Sequence, residues 1–150
     1  MRKLALIAMF VALTGFAVAQ TPDDAKKLDG KYKPESVQFE GKEQMPDAKT
    51  RAMMTLVVKE GEYRMYYLSD AQKDLHVRVF VADMKFDHQA KTFELTVKEG
   101  QKKGNKVHGT FEKMDDKLKL CYGPVDKPRP TNFTTAAGSG LFSEVWVVQK

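Results

Sequence analysis

Two runs of residues, Val107–Met114 and Lys117–Tyr122, flank the dipeptide Asp115-Asp116. They constrain the chain more than anything else in it. A two-residue turn at Asp115-Asp116 pairs Met114 with Lys117, Glu112 with Lys119, Phe111 with Leu120 and Gly109 with Tyr122. Successive side chains on a strand point to opposite faces, so Val107, Phe111, Leu118, Leu120 and Tyr122 share one face. Thr110, Glu112, Lys117, Lys119 and Cys121 share the other. One apolar and one charged face is the pattern of an antiparallel sheet wetted on a single side.

The same arithmetic applies upstream. With Glu60-Gly61 as a turn, Lys59 pairs with Glu62, Val58 with Tyr63, Leu56 with Met65 and Met54 with Tyr67. Glycine supplies the positive φ that such a turn needs. Val57 and Tyr66 then lie on the outer side. From Lys73 to Ala82, Leu75, Val77, Val79 and Val81 alternate with His76, Arg78 and Phe80, a half-buried strand whose outer face carries Phe80. Thr92–Lys98 alternates again, and Phe142–Gln149 reads as the last strand.

The remaining pieces are connections. Pro34 interrupts the first strand, Leu28–Phe39, and marks an edge or a bulge. Gly41–Arg51 reads as a loop, Asp83–Lys91 as a connection around a short strand at Met84–Phe86, and Gly123–Pro130 as a proline-stiffened loop before a short strand at Thr131–Thr135. No stretch beyond the first 19 residues has helical periodicity. The fold class expected is all-β: a single antiparallel meander barrel or sandwich of about eight to ten strands. A barrel of about eight strands is either filled by side chains or holds one small ligand.

Residues 1–19 read as a signal peptide. Arg2-Lys3 form the positive start, Leu4 to Val18 the apolar run, and Ala17-Val18-Ala19 an A-x-A cleavage site before Gln20. The expectation is an exported protein, periplasmic or extracellular, with no membrane span once the leader is removed. Residues 20–27 read as a linker and 28–150 as the barrel domain. Losing Arg2 and Lys3 takes 25 basic residues to 23 against 20 acids, a net charge of about +3. Lysines and acids are interleaved, which describes a solvated surface and excludes a nucleic-acid track.

Cys121 is the one cysteine, so no internal disulfide holds this domain and its core must do so. Cys121 is a small packed residue or, beside Lys119 on the outer face, a reactive thiol whose pKa the cation lowers. His76, His88 and His108 match no metal-ligand spacing, and no nucleophile stands near a base in sequence. No metal, no cofactor and no enzyme activity are expected.

The segment GTFEKMDDKLKLCYGPVDKPRPTNF, followed by Gly138-Ser139-Gly140 and an apolar last strand, resembles a small exported domain family known mainly from planctomycete bacteria. That family's signature is G-[IT]-[YF]-E-x-x-x-D-x-L-K-[LI]-C followed by R-P-[TS]-x-F. The matching residues are Gly109, Phe111, Glu112, Asp116, Leu118, Lys119, Cys121, Arg129, Pro130 and Phe133. Leu28-Asp29-Gly30-Lys31-Tyr32 extends the likeness to the first strand, with Tyr32 where the family, like lipocalins, has tryptophan. The resemblance implies a lipocalin-like fold, an exported location and no known reaction.

Arg129 sits between Pro128 and Pro130, which restrict its backbone and its neighbours'. It either grips an anion at a barrel mouth or stacks on Trp146 or Tyr32 to close the barrel end. The candidate ligand-binding residues are therefore Tyr32, Tyr122, Arg129 and Trp146. Two functions follow: a module binding a small apolar or amphipathic ligand at the barrel mouth, or a filled structural or protein-interaction domain of the cell envelope with no small-molecule ligand, meeting a partner through the outer strip Val57, Tyr66 and Phe80.

Overall fold

A computed structural model describes residues 26–68 and 76–150, without the side chains of 76–78. The expected signal peptide, and the linker up to residue 25, lie outside the described residues. The described residues form nine strands: β1 (Gly30–Phe39), β2 (Lys42–Glu43), β3 (Met54–Lys59), β4 (Glu62–Leu68), β5 (His76–Asp87), β6 (Thr92–Val97), β7 (Lys106–Met114), β8 (Lys117–Tyr122) and β9 (Phe142–Val148). Consecutive strands from β3 to β9 pair antiparallel. β1 closes the sheet by pairing with β3 through Gly30–Tyr32 and with β9 from Tyr32 to Phe39. The result is an antiparallel eight-stranded barrel, with β2 added to the end of β1.

Both hairpins have the register that their turns dictate, from Gly109↔Tyr122 to Met114↔Lys117 and from Met54↔Tyr67 to Lys59↔Glu62. Glu60 and Gly61 both take positive φ, 51° and 79°, as a tight hairpin turn requires. Pro34 stands where the β1–β9 register shifts, between Pro34 and Ser36. The bulge absorbs the missing N–H and moves the buried side chains from Tyr32 and Pro34 to Val37.

Four expectations are corrected. The β4–β5 register also shifts, between Met65 and Tyr66, where Val79 is left without a partner. The side-chain phase flips there, so Val79 is exposed while Phe80 turns inward and packs edge-on against Tyr63 at 5.8 Å. Phe80 therefore leaves the outer strip. Second, β5 runs unbroken to Asp87 instead of stopping for a connection. Third, residues 131–135 form no strand, and Phe133 lies under the Lys119 ammonium, 4.7 Å from ring centroid to Nζ. Fourth, part of the expected loop is a short helix, α1 (Ala48–Met53), whose first turn Asp47 caps by accepting from the Thr50 amide at 2.8 Å.

The core is one cluster inside the barrel, with Leu28, Tyr32, Leu56, Met84, Phe93, Leu118, Leu120 and Trp146 essentially sealed from solvent. Among the described residues no helix is long and apolar enough to cross a membrane.

Candidate functional site

The last strand carries the site. Alternation along β9 turns Phe142, Glu144 and Trp146 inward, opposite Tyr122, Leu120 and Leu118 of β8. A glutamate is thereby placed inside an apolar barrel, 2% exposed. Burying an unpaired carboxylate is expensive, so its partners decide whether it is tolerated. Glu144 Oε1 accepts from the Tyr122 hydroxyl at 2.5 Å, and Oε2 accepts from Trp146 Nε1 at 2.8 Å. Tyr63 of β4 lies near the same carboxylate. Burial still dominates and raises the Glu144 pKa above the usual carboxylate value, with its polar neighbours Tyr122, Trp146 and Tyr63 opposing it. Burial, then the neighbouring Glu144 charge, pushes Tyr63 and Tyr122 well above the ordinary phenol value.

Above this cluster the barrel is hollow. A cavity of about 510 Å³ opens where β1 ends, β6 passes to β7 and β8 gives way to the 123–141 segment. Its wall is Phe39, Tyr63, Met65, Phe80, Leu95, Val97, Val107, Tyr122 and Phe142, with Val79, Lys102, Val125 and three loop residues (Gly123, Pro124 and Gly140) completing it. Tyr122 stacks on Phe142 at 5.3 Å and meets the edge of Phe93 at 6.3 Å, so its ring is held on two sides. Glu144 is not in the wall; it stands behind the two tyrosines that are.

Tyr122 and Trp146 thus converge on one carboxylate, Tyr122 in the cavity wall and Trp146 in the sealed core beneath it. Tyr32 is elsewhere: it pairs with Val148 at the far end of β9 and donates to the Leu28 carbonyl at 2.7 Å. Burial, then Asp29, pushes its pKa up to about 12. The cation over its ring is Lys113, 5.5 Å from the centroid, and Arg129 is exposed on the 123–141 segment while Trp146 is fully buried. Cys121 is fully buried, and burial raises its thiol pKa against the opposing pull of Lys119. It sits beside Thr110 and Ser143 in the register, on the face that the 131–135 segment crosses.

Glu144 was missed by sequence reasoning, although a signal existed. It precedes Trp146 by two residues, so placing Trp146 in the core places Glu144 there too. Among the described residues no three His, Cys, Asp or Glu side chains gather as a metal site.

No protein-family model matches the chain, and no curated protein matches it. Among solved structures, it is similar to the crystal structure of an uncharacterized protein from Bacteroides eggerthii at 15% identity. That likeness covers 81% of this chain and 98% of the other, with a TM-score of 0.48.

Proposed function

We propose that this protein is an exported carrier or sensor that holds one small, largely apolar ligand in the open end of its barrel. The observation that carries the reading is the 510 Å³ cavity, of the size that small-molecule sites have, walled by aliphatic and aromatic side chains with few polar groups. The 1–19 leader pattern supports export, and the resemblance to exported lipocalin-like domains agrees with it. The envelope-partner reading is weaker once Phe80 faces inward, because only Val57 and Tyr66 remain of the strip it was built on.

Native mass spectrometry of the secreted protein tests the proposal directly, with a retained small molecule expected on part of the population. After denaturing extraction and refolding, N-phenyl-1-naphthylamine should bind with one-to-one stoichiometry and brighten. Val125→Trp, at the rim of the cavity, should abolish that signal without unfolding the barrel. An absence of both retained ligand and probe binding in the folded protein would refute a ligand-binding barrel.

A further inference from the structure

We infer that the ligand's polar end is a primary ammonium, seated on the hydroxyl oxygen of Tyr122 beside Tyr63 and neutralised by Glu144 behind them. The inference rests on the ligand-binding reading above and specifies its chemistry. Both tyrosines line the cavity, and Tyr122 commits its single hydroxyl proton to Glu144 at 2.5 Å. A phenol whose proton is committed has only acceptor lone pairs left to offer. Trp146 Nε1–H can only donate, and it too is spent on Glu144. Tyr122 therefore presents the cavity with an acceptor backed by an acid, and a head group with N–H donors complements it.

The surrounding wall agrees. Phe39, Phe80 and Phe142 join the two tyrosines, giving five aromatic rings around one hollow. Ring faces attract a cation, most strongly where water is excluded. A carboxylate head would meet the opposite environment, with phenol lone pairs in front and Glu144 behind. Lys102 is the cation in the wall, and it belongs to the exposed loop between β6 and β7. At the wet rim its repulsion of an entering ammonium is screened within about 8 Å at physiological salt. Glu144 is buried far more deeply than Lys102, so its field is the less screened of the two.

The test is displacement of N-phenyl-1-naphthylamine by octylammonium, octanol and octanoate, which share a tail and differ in the head. Octylammonium should displace the probe at least about tenfold more tightly than either of the others, which corresponds to about 1.4 kcal/mol. Glu144→Gln should retain probe binding and lose that preference. Tyr122→Phe should weaken octylammonium while leaving octanol within about twofold, which keeps the inference testable if Glu144→Gln misfolds. Equal binding of the three, or tighter octanoate, overturns the ammonium inference while leaving the cavity as a ligand site. Failure of the probe itself to bind overturns both.

Discussion

Gly109 decides a sign as well as a magnitude. It lies in mid-strand on β7, facing inward between Phe93 of β6 and Tyr122 of β8. An alanine Cβ there would stand 2.3 Å from Phe93 Cζ and 2.5 Å from both Phe93 Cε1 and the Cys121 carbonyl oxygen. Neither neighbour yields easily, since Phe93 is 1% exposed and the Cys121 carbonyl belongs to the paired backbone of β8. Without the clash, Gly109→Ala would stabilise the strand by about 0.5–1 kcal/mol, because glycine loses the most freedom on folding. Overpacking a tight core costs about 1–3 kcal/mol, and contacts this short belong at the upper end. The net expectation is a loss of about 2 kcal/mol, or roughly 5 °C in Tm for a domain of this size. Urea unfolding followed by tryptophan fluorescence measures it through Trp146. Gly109→Ala combined with Phe93→Leu should be less destabilised than the sum of the two single variants, since removing Cζ and Cε1 frees the space. A stabilised Gly109→Ala, or strict additivity in the double variant, would refute the packing argument.

Glu144→Gln should change how stability depends on pH. The folded-state pKa of Glu144 is raised, so the wild type is at its best below the unfolded value near 4.5 and loses stability as pH rises through the folded value; melting curves should show the variant gaining on the wild type from pH 4 to pH 7, and a constant gap would refute the shift. Tyr32→Phe leaves the Leu28 carbonyl without its buried 2.7 Å partner and should cost about 1–3 kcal/mol by urea titration. Cys121 is sealed, so a disulfide reagent such as DTNB should react only as fast as the protein unfolds, and rapid labelling of folded protein would contradict the packing. Arg129→Ala removes an exposed side chain and should change stability by less than about 0.5 kcal/mol; a larger loss would restore a role for Arg129 in closing the barrel.

The two hairpins were legible because each turn lies between runs whose alternation admits one register. Glu60-Gly61 and Asp115-Asp116 set the pairing, and Leu56, Tyr63, Phe111 and Leu120 then had to face inward. Alternation fails wherever the count of residues slips. The β5 bulge inserts Val79, and the residue count along the strand slips there against β4. No glycine or proline marks that site, so the sequence carries no warning, whereas Pro34 announces the comparable slip in β1. The α1 helix was hidden by its length, since six residues are too few to show a period. Cys121 illustrates a different limit. Its strand face is the outer one, yet it is buried because the chain after β8 crosses that face, which no local pattern encodes. Arg129 was singled out for its prolines, but a stiff backbone fixes only where a side chain starts and leaves open what it meets.

The interior divides into two halves that answer to different demands. Around Tyr32, Leu56, Leu118 and Trp146 the barrel is filled to the point of sealing every large side chain. Toward the other end aromatic and aliphatic side chains, Phe39, Phe80, Leu95, Val97 and Val107 among them, stand around an open space. Glu144 stands at the boundary between the halves. A barrel selected for stability alone gains nothing from a carboxyl there, because an apolar side chain opposite Leu120 would avoid the cost of dehydrating it. Nor is the acid a passenger. Tyr122 and Trp146 come from two different strands and aim two donors at it, so removing it would orphan both. Such an arrangement is a fixed and dehydrated electrostatic feature placed beside an empty volume. On the ligand-binding proposal, it is the feature that a ligand's own charge or donors complete.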